Sequence, residues 1–568
     1  MPRVIFALLP ALLFLAACSS ETPPEAAPAD RPNIVLIMTD DQGWGQLGVH
    51  GDPVLKTPNI DKLASESVEF TRFYASPVCA PTRASLMTGR YNYRTGVVDT
   101  FVGRAMMAAD EVTIAERLGD EGYRTGIFGK WHLGDNYPMR AMDQGFQEAV
   151  IHRGGGIGQP SDPPGSSYFD PILFRNGEQE QIQGYCTDIF FSEAMRFIDE
   201  GGEEPFFVYL PTNSAHSPYQ VPDSYREPYA QQGLDDKDAR IYGMITNIDD
   251  NVGRLLAHLD QKGMAENTIF IFMTDNGPTT QLYTAGLRAQ KASVYEDGIR
   301  VPFFFRWPAK LKPKKVDTIA AHIDVTPTLM DAVGSPIGPA EEIDGRSLMP
   351  LLTGDGEGWR DRFLFIQSHR GNEPELWRNV AIIGQEYKLV QPLSFAQPMP
   401  RGAKRELYNL IEDPGETTDV SDDIANRERI ATMSRDYEIW FQDVSRTRGY
   451  APQRIFIGTE FENPVTLTRQ DWRVTGNAAW GKGDVGSWAV EVREPGLYDV
   501  RFDFDPLENP SRVDFHLGAA SESKQMPEGA ETVSFEDVDL QHGPAMLEAR
   551  IESGGHVEGV KFVHVTKK

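Results

Sequence analysis

Asn33-Ile-Val-Leu-Ile-Met-Thr-Asp-Asp-Gln-Gly43 runs from an apolar stretch, Ile34 to Met38, straight into a polar cluster with two adjacent carboxylates. An unbroken apolar run of that length fits a strand buried on both faces, as in a parallel sheet covered by helices. Two further runs repeat the design. Thr268-Ile-Phe-Ile-Phe-Met273 leads into Thr274-Asp275-Asn276-Gly277, and Pro205-Phe-Phe-Val-Tyr-Leu210 leads through Pro211-Thr-Asn-Ser-Ala to His216. Between such runs the pattern predicts helices over Pro58–Glu69, with Ile60, Leu63, Ala64 and Val68 on one side, over Glu111–Glu121, over Thr187–Glu200, and over Tyr242–Lys262, ended by Gly263. This alternation, from residue 32 to about 370, indicates an α/β unit. Ligands gather beyond the carboxyl ends of parallel strands, so the two acidic pairs and His216 are expected to converge. Adjacent carboxylates repel unless a cation neutralises them, and oxygen donors from Asp and Asn favour Ca²⁺ or Mg²⁺ over Zn²⁺. Either pair alone would equally suit a turn before glycine. Two of them behind matched strands favour the metal.

Outward from this unit the character changes. Residues 371–450 read as a small sheet plus one helix: Val380–Ile383 and Tyr387–Val390 flank a turn at Gly384, and a helix is expected from about Asp422 to Val444. Residues 451–568 follow period two, as in Trp488-Ala-Val-Glu-Val-Arg493 and Tyr498-Asp-Val-Arg-Phe-Asp-Phe504, and read as an all-β sandwich. At the other end, Val4 to Ala17 is an apolar run too short to span a bilayer comfortably, and Leu15-Ala16-Ala17-Cys18 looks like a bacterial lipobox. The expectation is a lipoprotein signal over 1–18, a lipid on Cys18 holding the protein to a membrane, and a Pro/Ala-rich tether over 19–31. The implied location is the periplasm, outer membrane or cell surface of a bacterium.

The 568 residues carry 55 Lys and Arg against 83 Asp and Glu, a net charge of −28. Such a field repels phosphate backbones and excludes nucleic acid as a partner. Any anion site must be a local concentration of cations. Three cysteines cannot form a disulfide framework.

One of the three stands in Ser76-Pro-Val-Cys79-Ala-Pro-Thr-Arg83-Ala-Ser-Leu-Met-Thr-Gly-Arg90. Read bare, Cys79 sits at a helix N-terminus, where a thiolate would be stabilised; cysteine is also often simply buried. Cys-x-Pro-x-Arg followed by Leu-Met-Thr-Gly-Arg resembles the signature of the formylglycine-dependent sulfatases of the alkaline phosphatase superfamily. The other blocks fall in that family's order. Asp40 and Asp41 match the first metal pair and Asp275 and Asn276 the second. Gly129-Lys130-Trp131-His132-Leu133-Gly134 and Ala215-His216-Ser217-Pro218 match two further segments, and Lys291 matches the second lysine, ahead of Glu296-Asp297-Gly298 where Glu-Gly-Gly is usual. Thr82 stands where Ser is commoner. The likeness covers about residues 32–445 and leaves out the tail.

The resemblance implies an alkaline-phosphatase-like α/β sandwich with a large mixed, mainly parallel sheet between helices, a small C-terminal α+β subdomain and the appended β sandwich. It implies that a formylglycine-generating or sulfatase-maturating enzyme oxidises Cys79 to formylglycine, whose hydrate attacks the sulfur of a sulfate monoester. Asp40, Asp41, Asp275, Asn276 and the modified Cys79 would hold the cation, Ca²⁺ ahead of Mg²⁺. Arg83 and Lys130 would steady the nucleophile, Lys291 and His216 would grip the sulfate and help protonate the departing alcohol, and His132 would take the proton that lets the sulfo-enzyme collapse. The expected partner is an external sulfated polysaccharide or oligosaccharide. His369 and Arg370, the Gly- and Pro-rich stretch 143–168, and Trp472, Trp480, Trp488 and Tyr498 are candidate sugar contacts, although such aromatics also build sandwich cores. Rival readings are an aryl sulfatase, a phosphonate or phosphate ester hydrolase of the same superfamily, in which His usually stands where Asn276 does, and an inactive glycan-binding lipoprotein. The sequence leaves the sugar and the oligomeric state open.

Overall fold

The three apolar runs lie side by side at the centre of a ten-stranded sheet. In the computed structural model, which describes residues 31–354, 356–392, 402–474, 480, 481 and 483–568, the strand order is Lys314–Val316, Val68–Phe70, Phe303–Arg306, Thr268–Thr274, Asn33–Thr39, Phe206–Pro211, Arg124–Lys130, Glu148–His152, Ile172–Arg175 and Glu178–Gln181. The signal, Cys18 and tether readings lie outside the described residues. Asn33–Thr39 runs parallel to both neighbours, with Thr39 opposite Thr274 and Met38 opposite Pro211. The flanking strands from Phe303 and from Ile172 join antiparallel, which makes the sheet mixed.

Alternation along the first strand divides its side chains between two cores. Ile34, Leu36 and Met38 enter one, which contains Ala80, Ala84 and Leu118; Val35 and Ile37 enter the other, which contains Ile60, Leu63, Phe190 and Ile248. Burial stabilises each of these five apolar side chains by roughly 1.5–3 kcal/mol, so packing fixes the strand and the polar residues after it are carried into place.

Helix boundaries differ from the pattern-based expectation for local reasons. The first helix ends at Ser65, and Val68 belongs to a strand paired with Phe305. The second begins only at Ile114, after a capping box between Thr113 and Glu116. The third spans Cys186–Glu200. The longest helix spans Asp236–Gln261, starting six residues before Tyr242, because the Asp235 carboxylate accepts the Asp238 N–H and caps a polar first turn that has no apolar stripe. The late helix spans Arg427–Val444, after a short 3-10 turn at Ile424–Asn426.

Beyond the main sheet, Leu364–Gln367, Val380–Ile383, Tyr387–Gln391 and Glu406–Asn409 form an antiparallel sheet next to that last helix. From Ile455 to Lys567 two further sheets pack face to face around Trp472, Trp488 and Tyr498, all fully buried. These three aromatics are core. Val102, Met106 and Met139, from loops around the main sheet, join the same apolar cluster, so the sandwich is docked through a continuous core. Among the described residues no helix is long and apolar enough to cross a membrane.

Asp297, the departure from Glu-Gly-Gly, is buried with no partner for either carboxylate oxygen among the described residues. Burial, then repulsion from Glu296, pushes its carboxyl up from 3.8 to about 8. The folded protein therefore keeps a proton that the unfolded chain has already released, and stability falls as pH rises between those values. Asp297→Asn removes the effect. Its gain in Tm over wild type should be absent near pH 4, grow up to pH 8 and then level off. Thermal melts across that range test it, and a gain independent of pH would refute the assignment.

Candidate functional site

The strand register sets the site. Past Thr39 and Thr274 the two chains stay in contact: the Asp41 N–H donates to Asp275 Oδ1 (3.2 Å) and Asn276 Nδ2 donates to Asp41 Oδ1 (2.8 Å). Asp41 adopts φ +60°, a left-handed conformation that non-glycine residues rarely take outside constrained sites. After Asn276, the chain must be glycine, since a Cβ on Gly277 would lie 1.7 Å from the Asp297 carbonyl oxygen.

Helix Cys79–Thr88 brings the thiol to this end of the sheet. Pro81 falls in its first turn, where a missing N–H costs nothing. Cys79 and Arg83 are four residues apart and share a face. Thr82 anchors the helix: its hydroxyl donates to the Asp275 carbonyl (2.7 Å) and accepts the Ser76 N–H (3.0 Å). Cys79 Sγ lies 3.5 Å from Asp40 Oδ1. One potential ligand atom from each of Asp40, Asp41, Cys79 and Asp275 lies within 4.8 Å of all the others.

Cations surround the acids. The Arg83 guanidinium, fully buried, is 2.8 Å from Asp275 and 3.8 Å from Asp40, and also donates to the Lys130 carbonyl (2.7 Å). Lys130 Nζ is 2.6 Å from Asp40 Oδ2. Its strand passes so near its neighbour that a Cβ on Gly129 would sit 1.9 Å from the Pro211 carbonyl oxygen. Lys291 bonds Asp41 and lies 3.4 Å from Cys79 Sγ, on a loop tied to the Pro278 carbonyl (2.8 Å).

The electrostatics follow from this packing. Burial opposes ionisation of Asp40, but Lys130, His216, Arg83 and Lys291 outweigh it and hold the carboxyl well below its usual range. Burial and then repulsion from Asp40 push Asp275 up to about 6. The same two causes push the Cys79 thiol up to about 12. The helix N-terminus therefore does not give a thiolate, contrary to the bare reading of the sequence. Burial lowers His132 and His216, leaving both imidazoles neutral near pH 7. His132 Nε2 meets the Thr100 carbonyl at 2.7 Å and so carries the hydrogen; Nδ1 is left with a lone pair and no partner. His216 Nδ1 likewise donates to the Ser217 carbonyl (2.6 Å), and its bare Nε2 lies 3.8 Å from Asp41.

The donor set fits a hard divalent cation. Among the described residues Asp41 Oδ2 and Asn276 Oδ1 are buried with no hydrogen-bond partner, beside the Asp40 and Asp275 carboxylates. Unsatisfied buried oxygens are costly, and a cation is the group that satisfies several at once.

Cys79, His132, His216 and Lys291 line one open cleft of about 450 Å³. The sequence-derived candidates thus come together. Of the suggested sugar contacts, Arg370 and Trp480 line this cleft, whereas His369 is buried with Nε2 on the Glu373 carbonyl. Gly155 and Gln159 come from the Gly- and Pro-rich stretch. Thr100, Phe101, Thr279 and Gln290 also line it, and no motif marked them.

The sulfatase family profile matches residues 32–335, more than half of the chain. The chain belongs to the sulfatase family. A second profile, N-sulphoglucosamine sulphohydrolase, C-terminal, matches residues 289–439 of this sulfatase. It is 31% identical to human arylsulfatase A over 70% of this chain and 85% of that protein. It is 28% identical to the N-acetylgalactosamine-6-O-sulfatase of Bacteroides thetaiotaomicron over 73% of this chain and 94% of that one. Among solved structures, Ps i-CgsB in complex with k-i-k-neocarrahexaose superposes with a TM-score of 0.66 at 28% identity, over 74% of this chain and 95% of that one. The protein is a sulfuric ester hydrolase with the alkaline-phosphatase-like fold.

Arg83→Leu would leave Asp40 and Asp275 buried together without their shared guanidinium. Urea unfolding should show a loss of about 3–5 kcal/mol. A loss under about 1 kcal/mol would mean that Arg83 does not hold the pair.

Proposed function

We propose that this sulfatase removes sulfate from saccharides, using Cys79 oxidised to formylglycine and a divalent cation, Ca²⁺ by donor type, held by Asp40, Asp41, Asp275 and Asn276. The observation that carries the reading is Cys79 at the floor of an open cleft, 3.5 Å from Asp40 and 3.4 Å from Lys291, beside two buried oxygens without partners. The saccharide class rests on relatives named for N-acetylgalactosamine sulfate and on the neighbour solved with a carrageenan-type hexaose.

When present, the modified side chain supplies a hydrated aldehyde as nucleophile and the cation withdraws charge from the sulfate oxygens. The protein's own groups do the rest. Arg83 and Lys130 keep Asp40 and Asp275 ionised and in place. Lys291, whose ammonium is stabilised well above its usual range by Asp41 despite burial, offers N–H groups to the sulfate from the Cys79 side. His216 is neutral in the free site; an anionic ester beside its Nε2 raises its proton affinity, so it gains a proton that it can pass to the departing oxygen. His132 Nδ1 is the free lone pair in the cleft, available to take a proton from position 79 after sulfur transfer.

A maturating enzyme as partner belongs to the same proposal. So do export and a lipid on Cys18, which rest on the sequence of residues 1–18.

Mass spectrometry of the peptide carrying Cys79 from the native host should find a loss of about 18 Da, the thiol carbon having become an aldehyde. Cys79→Ala should abolish release of sulfate, and His132→Ala should lower kcat by about 10²–10⁴-fold while a first stoichiometric burst of alcohol survives. An unmodified thiol in fully active protein, or faster turnover of nitrophenyl phosphate than of nitrophenyl sulfate, would overturn the reading.

A further inference from the structure

The cleft does not end at the main α/β unit. Its outer wall includes Trp480, which belongs to the C-terminal β domain and lies beyond residue 439, where the matched family profiles stop. Trp480 packs edge-on to Phe101, with ring centroids 5.0 Å apart, and the guanidinium of Arg370 lies 4.2 Å from the centre of the Phe101 ring. The three side chains make one continuous wall from the catalytic groups to the domain boundary.

On the far side of Trp480 a second groove of about 350 Å³ opens. Gln159 and Trp480 line both hollows, so they adjoin. The second groove carries two cations of the β domain, Arg469 and Lys561. Arg469 is fixed by its donors on the backbone carbonyls of Val560 (3.0 Å), Gly559 (2.7 Å) and Trp480 (3.0 Å); among the described residues no carboxylate bonds it directly, and Glu558, Asp505 and Asp484 act on its charge from further off. Lys561 meets Asp505 at 2.5 Å but stays 44% exposed. The facing acid, Asp162, is held by the backbone N–H groups of Arg153 and Gly158. At the seam, Gln159 Oε1 and Trp480 Nε1 have no hydrogen-bond partners among the described residues, so both groups are there to meet a ligand hydroxyl.

An indole edge beside an acceptor amide, followed by fixed cations, is a surface for sugar rings that carry negative charge. The domain cannot swing away at low cost, because Val102, Met106 and Met139 are buried in its apolar core and the Gly103 N–H donates to the Gln470 carbonyl (2.8 Å).

We propose that the β domain completes the substrate site: an anionic saccharide chain passes from the catalytic cleft over Trp480 and Gln159 into a second subsite at Arg469 and Lys561. The enzyme then prefers sulfated oligosaccharides to single sugars. This rests on the saccharide sulfatase reading above.

The test uses the full chain, matured by co-expression with a formylglycine-generating enzyme. Wild type is first assayed on 4-nitrophenyl sulfate and on κ-carrageenan, chondroitin sulfate and heparin. For the polymer desulfated fastest, kcat/KM is compared between its hexasaccharide and its disaccharide. Wild type should favour the hexasaccharide by about tenfold or more, and Trp480→Ala and Lys561→Ala should each bring that ratio toward one. A wild-type ratio near one overturns the proposal, and so does a ratio that both variants retain. Turnover of nitrophenyl sulfate with none of the three polymers desulfated overturns the second subsite and spares the sulfatase reading. No turnover of any sulfate ester sinks the sulfatase reading itself.

Discussion

The site exists because two parallel strands are locked in register at the centre of a sheet. Thr39 opposite Thr274 places Asp40–Asp41 against Asp275–Asn276, and within those four residues only the bonds from the Asp41 N–H to Asp275 and from Asn276 Nδ2 to Asp41 favour that arrangement. Three buried carboxylates at two adjacent strand ends would repel each other strongly in a poorly solvated interior. They stay because apolar packing on both faces of the sheet fixes the strands, and because Arg83, Lys130 and Lys291 reach in from three other segments. Each of those segments has its own anchor: Thr82 on the Asp275 carbonyl, Gly129 against Pro211, and the Lys291 N–H on Pro278. The carboxylates and cations match one for one. In the proposed reaction a divalent cation, a singly charged sulfate ester and an ionised nucleophile would together add no net charge to that set.

Much of this was legible in the sequence, for reasons that differ by element. The strands stood out because burial on both faces demands unbroken apolar runs. The helices were placed but poorly bounded. Their ends depend on caps such as Asp235 and the Thr113–Glu116 box, and these are polar residues that an apolar stripe does not register. The candidate catalytic residues were readable because each sits in a short segment whose spacing is set by local geometry; Cys79 and Arg83 must be one helical turn apart to face the same acids. Thr100, Phe101, Thr279 and Gln290 were not readable. They reach the cleft from loops whose paths are set by what they pack against, and no periodicity records that.

The tail shows the same limit in another form. Four aromatics were candidates for sugar stacking, and Trp472, Trp488 and Tyr498 are core. Only Trp480 lines the cleft, and it follows a stretch without alternation, whereas Trp488 and Tyr498 lie on strands with inward-facing periodicity. In a sandwich the periodic aromatics build the core. Trp472, fully buried although it lies in no strand, reaches the core without that periodicity, so the pattern alone does not separate core from cleft.

The Thr100 carbonyl joins the chemistry to that outer domain. It accepts from His132 Nε2 at 2.7 Å, which fixes the tautomer and leaves Nδ1 unprotonated, and from Gln470 Nε2 at 3.0 Å. His132 itself is held at φ +62°, a conformation that costs energy and persists only where its surroundings determine it. Gln470 belongs to the β domain, so that domain braces the carbonyl that orients the proposed proton acceptor. The chain's overall charge of −28 repels sulfated polymers, and Arg469 and Lys561 beside Trp480 are cations placed next to the cleft within that field. Arg83, Lys130 and Lys291 are held by the buried acids they pair with, whereas Arg469 is held by backbone carbonyls of its own domain and Lys561 by Asp505, so the two groups are fixed in different ways.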